Sequence, residues 1–306
     1  MSERLFRHRH PVFSGLLVLA AIMLFFWGGI TFFVSSLTSP SQAEIFARQG
    51  IGVVDVKGVI VESEETIEQL VSFRENEKVQ AIVLRVDSPG GTVGASQEIY
   101  EEVRRTNAIK PVVASMGSVA ASGGLYVSLG AAQIVANAGT LTGSMGVIFK
   151  FANLEGLFEK IGYKSEVVKS GKLKDIGSSS RPMTEEERQM LQGLIDIVHG
   201  QFVQAAVESR AVPEEKVRRI ADGRIFSGQQ AKEYGLVDQL GNFTDAVLLA
   251  AELAGIDGEK MPQLIYPEEE EFTIFRLLTG KKSQSLFHQT TVSGPVLAYE
   301  WTGIFR

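Results

Sequence analysis

The sequence contains no cysteine and few histidines, and these two shortages exclude several kinds of site. Without cysteine in 306 residues, the chain has no disulfides, thiolate nucleophiles or cysteine-type zinc sites. Of its four histidines, His8 and His10 precede a long apolar run. His199 falls inside a predicted helix and His288 in the C-terminal tail, and neither has the sequence context of a Ser-His-Asp triad. A histidine base is therefore not favoured.

Proline is also scarce, and no large excess of basic charge is present. Nine prolines and 44% hydrophobic residues are typical of a chain that folds around a substantial core. The net charge is -6 at pH 7, and positive charge clusters only at the extreme N-terminus. This distribution provides no basic surface for nucleic acid. We therefore expect no nucleic-acid partner, and we also expect neither a cofactor nor a metal ion.

A segment near the N-terminus lacks charged residues altogether. It runs from Val12 to Val34, a length of 23 residues. As a helix it would extend about 34 Å, enough to cross a hydrocarbon core of about 30 Å. A cleavable signal peptide would have a shorter apolar region, and Ser41-Gln42-Ala43 is only a weak cleavage site. The segment therefore predicts an uncleaved transmembrane anchor.

Three arginines indicate how this anchor is oriented. Arg4, Arg7 and Arg9 precede it, and basic residues favour the cytoplasmic side of a membrane. We therefore expect residues 1–11 in the cytoplasm and the anchor in a bacterial cytoplasmic (inner) membrane. The residues that follow a linker at 35–49 would then lie on the periplasmic side.

The body of the chain alternates short apolar runs with helical periods, as is typical of α/β proteins. The predicted strands are Ile51–Val56, Ala81–Val86, Val112–Met116 and Gln133–Ala136. Two helices, Thr66–Glu75 and Val93–Asn107, are predicted between the first three strands. Later predicted elements are a strand, Lys164–Val168, and two helices, Glu214–Ala221 and Phe243–Leu253.

A long helix is predicted to begin at Thr184, because Thr184 and Glu187 have the spacing of a capping box. Apolar residues that share one face of this helix are Leu191, Leu194, Ile195, Val198, Phe202 and Ala206. We expect one catalytic domain at 50–256. The tail at 257–306 has two alternatives, an interaction segment and a disordered end.

Two glycine-rich turns follow predicted strands, where an α/β sheet commonly presents its chemistry. One is Asp87-Ser-Pro-Gly-Gly91, whose glycines allow backbone amides to face a ligand. The other is Gly117-Ser-Val-Ala-Ala-Ser-Gly-Gly124, which places Ser122 before a helix. The Gly123 amide could then donate to an oxygen that becomes negative when Ser122 attacks a carbonyl. Spacing alone leaves phosphate binding as an alternative.

A lysine can replace histidine as the base if it is held neutral. The reference pKa of lysine is about 10.4, so burial or positive neighbours must lower that pKa by about three units. The candidate segment is the glycine-flanked loop Ser170–Gly177, which contains Lys172 and Lys174. On composition alone, either lysine is more commonly a solvated surface charge.

Five motifs, in this order, resemble those of the signal peptide peptidase A family over about Ile51 to Leu253. They are Asp87-Ser-Pro-Gly-Gly91, Gly117-Ser-Val-Ala-Ala-Ser-Gly-Gly124, Leu141-Thr-Gly-Ser-Met-Gly146, Gly171-Lys-Leu-Lys-Asp175 and Asp222-Gly-Arg-Ile-Phe-Ser-Gly228. The resemblance implies an α/β fold of the ClpP/crotonase type, built from repeated ββα units and preceded here by the transmembrane helix.

The resemblance also assigns roles to individual residues. It implies that Ser122 is the nucleophile and that Lys174, rather than Lys172, is the general base. Ser144 would orient the lysine amine. The oxyanion hole would consist of the Gly123 amide and one amide of the Gly90-Gly91 pair, of which we favour Gly91.

The implied activity is that of a membrane-anchored serine endopeptidase that degrades cleaved signal peptides and other apolar fragments. Three alternatives stay open: a related Ser-Lys peptidase with a specific protein substrate, a crotonase-like acyl-CoA enzyme without a nucleophile, and a catalytically silent scaffold. In single-module members of the family, the lysine of one subunit serves the serine of its neighbour in a ring. We therefore expect a homo-oligomer with sites shared between protomers.

Overall fold

The computed structural model describes residues 19–31, 49–256, 261–267 and 298–300. The chain divides into two units, Met1–Arg48 and Gln49–Arg306. In the first unit, residues 19–31 form a helix inside the predicted anchor, and the two ends of that anchor lie outside the described residues. Among the described residues, no helix has both the length and the apolar character needed to span a membrane.

A mixed, mostly parallel sheet forms the centre of the second unit. The strands are β1 (Gly50–Lys57), β2 (Val79–Ser88), β3 (Gly90–Thr92), β4 (Val112–Ala121), β5 (Gln133–Ala136), β6 (Leu141–Gly143), β7 (Ile225–Ser227), β8 (Gln239–Leu240), β9 (Gln263–Ile265) and β10 (Ala298–Glu300). The order in the main sheet is β7-β6-β4-β2-β1-β9, with β5 beside β4 and β8 beside β5. All of these pairs are parallel except β6 with β7. A separate antiparallel pair consists of β3 and β10.

The helices agree closely with the sequence pattern. They are α1 (Glu64–Glu75), α2 (Val93–Asn107), α3 (Gly123–Ser128), α4 (Glu155–Lys160), α5 (Glu185–Arg210), α6 (Glu214–Ile220), α7 (Gly228–Glu233) and α8 (Phe243–Leu253). The predicted capping box is confirmed, since the Thr184 side chain accepts a hydrogen bond from Glu187 N and the Glu187 side chain accepts one from Thr184 N.

Helices cover both faces of the sheet, so alternate residues of a strand are buried on opposite sides. On β2, Ile82 and Leu84 belong to the larger core, which includes side chains from α1, α2, α3 and α5. Ala81 and Val83 belong to a smaller core, in which Val247 of α8 packs. Burial on both faces explains why the strand sequences are continuous apolar runs. The predicted α/β class is confirmed.

Strand β4 is longer than predicted because its glycine-rich end remains in the sheet. Residues 113–116 pair with β5 and residues 119–121 pair with β6. The register between β2 and β4 shifts near their ends, where the Asp87 carboxylate accepts a hydrogen bond from Val119 N at 3.0 Å. The segment that we predicted as a turn is therefore an irregular strand that ends directly before Ser122.

Two further sequence predictions are wrong. Lys164–Val168 has no regular secondary structure, and Val168 is fully exposed at 103%. Apolar residues such as Val167 and Val168 do not form a strand without a neighbouring strand, and none of the described residues supplies one. On α5, Leu194 is 43% exposed, whereas Leu191 and Phe202 are buried. The buried stripe is therefore narrower than the sequence pattern indicates.

Two stretches of the predicted tail contribute strands to the folded unit. Strand β9 pairs in parallel with β1 and extends the edge of the main sheet. Strand β10 pairs with β3, and its Ala298 also forms an isolated antiparallel bridge with Ile148. The described parts of 257–306 therefore pack against the sheets.

Candidate active site

Ser122 lies at the junction of β4 and α3, where it is the N-cap of the helix. Its φ of 54° and ψ of -115° are unusual for a residue with a side chain, and such strain is found preferentially at functional sites. The Ser122 amide donates to Gly143 O at 2.8 Å. The residue is 1% exposed, and its Oγ has no hydrogen-bond partner among the described residues. The unusual backbone and the unpartnered hydroxyl make Ser122 the candidate nucleophile.

Backbone amides lie beside the candidate nucleophile. A Cβ atom built on Gly123 would lie 3.1 Å from Gly91 N and from Gly90 Cα, so β3 passes next to the start of α3. The Gly90 amide donates to Ser88 Oγ at 3.1 Å, which leaves the Gly91 amide as the candidate of the pair. A side chain on Gly91 is impossible, because its Cβ would lie 1.9 Å from Ile60 O. This geometry allows the Gly91 and Gly123 amides to face one oxyanion.

Ser144 lies next to Ser122 because their strands are paired. Ala121 pairs with Gly143, and each serine is the following residue. Ser144 also has a positive φ, 51°, and it is 7% exposed. Its amide donates to Arg224 O at 2.7 Å, so the fifth sequence motif supports this part of the site through its backbone.

Strand β10 lies along β3, and we call the space that it occupies the groove. In this antiparallel pair, Tyr299 is opposite Gly91. A Cβ atom built on Gly90 would lie 2.1 Å from Tyr299 O and 2.7 Å from Gly123 N. The carbonyl group of Tyr299 therefore lies close to the candidate oxyanion amides, where the carbonyl of a bound peptide would be expected.

The side chain of Tyr299 fills an aromatic pocket. Its ring stacks on Tyr126 with centroids 5.1 Å apart and lies 4.9 Å from the ring of Phe202. The Tyr299 hydroxyl donates to Val198 O at 3.2 Å. Burial raises the pKa of Tyr299 and raises the pKa of Tyr126 to about 12, so both phenols stay neutral near neutral pH. The pocket thus accepts a large aromatic side chain beside the nucleophile.

Lys174 lies on an exposed loop, and the single chain does not bring it to Ser122. The Lys174 amide donates to Gly171 O at 3.1 Å, within a series of turns. Among the described residues, the Lys174 amine forms no hydrogen bond or ion pair. The competing lysine, Lys172, forms an ion pair with Glu186. The structure therefore brings together Ser122 and the other site candidates, but it leaves Lys174 apart.

An ion cluster that our sequence analysis missed holds the loop of Lys174. Arg181 Nε and Nη2 donate to the two Asp175 carboxylate oxygens at 3.1 and 2.9 Å, and Arg181 Nη1 donates to Glu187 Oε2 at 2.9 Å. Lys169 also pairs with Asp175. Hydrogen bonds from Arg181 hold the pKa of Asp175 well below its usual range and lower the pKa of Glu187 to about 2. The sequence signal for this cluster is Arg181, which lies three residues before the capping-box residue Thr184.

The sequence also did not identify the aromatic pocket. Tyr126 follows the serine motif, Phe202 lies on α5 and Tyr299 is in the tail, so no local pattern joins them. On helical spacing alone, Tyr126 and Phe202 are core residues. Only the pairing of β10 with β3 shows that these residues surround a groove.

Two histidines, His199 and His288, are the alternatives to lysine as the base. His199 Nε2 lies 2.7 Å from Ala221 O, which connects α5 to the segment after α6. His288 lies outside the described residues. In the part of the chain that the structure describes, no group of histidine and acidic side chains is arranged to hold a metal ion.

Family models match two overlapping parts of the chain. Peptidase family S49 matches residues 104–257, and Clp protease matches residues 54–142. The second match agrees with the observed layers, in which a mixed sheet with helices on both faces presents a serine at a strand–helix junction. The fold is therefore a Clp protease-like α/β fold.

Individual relatives support the same assignment. The chain is 45% identical to a putative protease of Synechocystis, over 78% of this chain and 85% of that protein. It is 38% identical to Protease 4 of Salmonella typhi, over 79% of this chain and 39% of the relative. It is 34% identical to a putative signal peptide peptidase SppA of Enterococcus faecium, over 70% of this chain and 66% of the relative. The chain thus spans less than two thirds of the last two proteins.

The family matches favour a serine peptidase over two of the alternatives left open by the sequence, an acyl-CoA enzyme and a silent scaffold. They agree with the position of Ser122 at a strand–helix junction and with the order of the five motifs. The chain is a serine peptidase that belongs to peptidase family S49, as a single-module member of the signal peptide peptidase A family.

Proposed function

We propose that this chain is a membrane-anchored endopeptidase with a Ser-Lys dyad, and that it degrades cleaved signal peptides and other apolar fragments. The observation that supports this most directly is strand β10, an extended segment that pairs with β3 next to Ser122. A substrate peptide can replace β10 by adding a strand to β3. The pocket filled by Tyr299 favours a large apolar or aromatic side chain at the residue before the scissile bond.

The proposed reaction uses one nucleophile and one base in both half-reactions. Ser122 Oγ attacks the substrate carbonyl carbon while its proton passes to the neutral amine of Lys174, which Ser144 orients. The resulting oxyanion accepts hydrogen bonds from the Gly91 and Gly123 amides. The C–N bond then breaks, and the Lys174 ammonium protonates the departing amine. Water, deprotonated by Lys174, hydrolyses the acyl ester and restores Ser122.

A second copy of the chain would supply the base. Ser122 Oγ is buried without a partner, and the Lys174 amine is exposed without one among the described residues. If a neighbour's Lys174 enters the groove, both groups gain a partner. The interface would also remove water from the amine and lower its pKa toward neutrality.

Exposed apolar side chains near the loop of Lys174 support this assembly. Leu157, Ile161, Tyr163 and Val168 are each more than half exposed, at 52%, 66%, 54% and 103%. A cluster of exposed apolar residues commonly marks a protein interface. We propose that another copy of the chain covers this surface.

The helix at 19–31 supports the proposed anchor. Its large apolar side chains are exposed, with Phe25 at 81% and Trp27 at 72%, and such side chains are suited to contact with lipid. Together with the preceding arginines, this supports an anchor in a bacterial inner membrane with the N-terminus inside and the peptidase on the periplasmic side.

The test is turnover of a peptide panel by the full chain in detergent. The panel contains signal-peptide sequences, polar peptides of equal length and folded proteins. We expect cleavage of the apolar peptides after large apolar or aromatic residues, and no cleavage by Ser122→Ala. Turnover of one folded protein, without turnover of signal peptides, would instead support a related peptidase with a specific protein substrate.

A further inference from the structure

The residue next to the proposed base is a carboxylate, which is unfavourable for a base. Asp175 directly follows Lys174. A carboxylate that pairs with an ammonium stabilises the charged form and raises the pKa of the lysine, typically by about one to three units. A Lys174 that paired with Asp175 would therefore be protonated near neutral pH and unable to accept the Ser122 proton.

Arg181 occupies both oxygens of Asp175. Its Nε and Nη2 atoms donate to the Asp175 carboxylate at 3.1 and 2.9 Å, and Nη2 also donates to Asp175 O at 3.3 Å. Lys169 donates to the same carboxylate and to Lys172 O. The Asp175 side chain is 15% exposed, so these contacts fix it in place.

The other carboxylates near this loop are also occupied. Glu187 accepts hydrogen bonds from Arg181 and from Thr184 N. Glu186 pairs with Lys172, and Glu185 lies 4.0 Å from Arg188. The carboxylates on the loop and on the first turn of α5 thus each have a cationic partner. Among the described residues, Lys174 is the loop cation that has no carboxylate partner.

Arg181 also connects the loop to the nucleophile's side of the molecule. It ties Asp175 to Glu187 in the first turn of α5, and Phe202 of α5 packs edge-on against Tyr126 of α3 at 4.9 Å between ring centroids. Helix α3 begins directly after Ser122. The loop is therefore attached to α5, which packs against α3 beside the groove.

We propose that Arg181 is a positioning residue for the base, because it engages Asp175 and Glu187 and thereby keeps their carboxylates from pairing with the Lys174 amine. This inference depends on the proposed function, since it requires Lys174 to be the base. It assigns Arg181 an electrostatic role through Asp175 in addition to its structural role in the loop.

The experiment compares pH–rate profiles of kcat/KM for full-length variants on one cleavable apolar peptide. The activity of a neutral base rises as pH passes its pKa. In Arg181→Gln, Asp175 keeps Lys169 as a partner of one oxygen, and its other oxygen can pair with Lys174. We therefore expect the midpoint of this rise to move upward by roughly one pH unit. In the double variant Arg181→Gln/Asp175→Asn, the midpoint should return toward that of the wild type.

The matched control is Arg188→Gln, which removes an exposed arginine from the start of α5 and should leave the midpoint unchanged. If Arg181 has only a structural role, the single and double variants will lose rate without moving the midpoint. If Arg181 acts on Lys174 by direct repulsion, the double variant will remain shifted. Either result overturns the proposed action through Asp175.

A further variant covers the case in which Arg181→Gln does not fold. Asp175→Asn alone removes the carboxylate and leaves Arg181 positive, so the midpoint should stay or fall. A midpoint that rises would overturn the proposal. Lys174→Ala separates this inference from the proposed function, because full activity in that variant would refute Lys174 as the base whatever the Arg181 variants show.

Discussion

The region around Ser122 and the region around Lys174 are built in opposite ways. Between residues 112 and 130, every residue except Ser118 is buried. Between residues 151 and 183, no residue is buried, and α4 is the single regular element. The first region is held by strand pairing on both sides of β4. In the second, the ion cluster around Arg181 ties the loop to α5, and we infer that this cluster holds the region.

This contrast indicates what one chain can provide by itself. The nucleophile and its amide donors need a rigid frame, and the core of the chain supplies it. The base needs an environment with little water, which an exposed loop does not have. We infer that the second region acquires this environment from a neighbouring copy, so that the active site forms only on assembly.

The largest expected effect comes from removing either partner of the dyad. Ser122→Ala and Lys174→Ala should each reduce kcat/KM by at least about a thousandfold, because a nucleophile and its base act as a unit. Ser122 Oγ has no hydrogen bond to lose and Lys174 is exposed, so the melting temperature should hardly change. Peptide turnover and thermal unfolding are the two measurements.

Each substitution has a control in its own region. Ser118→Ala removes the exposed serine of β4, and Lys172→Ala removes the neighbouring lysine of the loop. Both controls should remain active. A dead Lys172→Ala with an active Lys174→Ala would show that the wrong lysine was chosen.

The next experiment tests whether Ser122 of one subunit and Lys174 of another form a single active site. Ser122→Ala and Lys174→Ala chains, each inactive, are co-expressed in equal amounts. A mixed site is complete when the serine comes from one variant and the lysine from the other, so about a quarter of the sites should regain activity. Lys174→Arg should not replace Lys174 as the base, because arginine stays protonated. Mixed assemblies that form but remain inactive would place both residues of a site in one chain.

The same contrast explains which features could be predicted from the sequence. Helices α2 and α8 and the Thr184 capping box depend on local patterns, and their predictions are confirmed to the residue. The irregular end of β4 depends on β6, a strand more than 20 residues later, so local glycines suggested a turn instead. Lys164–Val168 ends in two valines, which favour strands, but it has no partner strand among the described residues. The partner of a strand can be distant in the sequence, so neighbouring residues do not identify it, whereas a helix cap depends on neighbouring residues.

The site shows the same division. Ser122 and its glycines form contiguous motifs, which made their joint placement predictable. The aromatic pocket combines side chains from α3, α5 and β10, and the relation of Lys174 to its serine depends on contacts that a single sequence does not display. The proposed Ser122-Lys174 dyad was predicted from the family resemblance. The strands and helices around it were predicted from hydrophobic patterns and caps.

A smaller effect should follow from emptying the groove. Tyr299 is fully buried, and a buried side chain of this size contributes about 1.5 to 3 kcal/mol. Tyr299→Asp should weaken the docking of β10 and leave β3 more available to substrate. We expect KM for a short apolar peptide to fall by about tenfold, with kcat little changed.

The matched control is Tyr266→Asp, because Tyr266 is also in the tail but is 56% exposed. It should leave KM unchanged. If Tyr299→Asp raises KM while the melting temperature is preserved, β10 helps to form the substrate site rather than to occupy it.

The smallest effect concerns stability and tests whether ion pairs hold the second region. Arg181 and Thr184 lower the pKa of Glu187 from 4.5 to about 2. A carboxyl whose pKa is lowered by folding stabilises the fold above its unfolded pKa, and this contribution is lost as pH falls toward the folded value. Glu187→Gln should therefore melt a few degrees below the wild type at pH 7. That difference should shrink between about pH 4.5 and pH 2, where the wild-type carboxylate becomes protonated.

Glutamine at position 187 can still accept the hydrogen bond from Thr184 N, so this substitution tests the charge and not the cap. Glu215→Gln is the control, since Glu215 forms an exposed pair with Arg219 on α6, and exposed pairs contribute little. Its melting temperature should match the wild type at every pH. An equal gap between Glu187→Gln and the wild type from pH 7 to pH 2 would mean that packing, and not the charge of Glu187, holds this loop. The contrast between a region held by its core and one held by ion pairs would then fail.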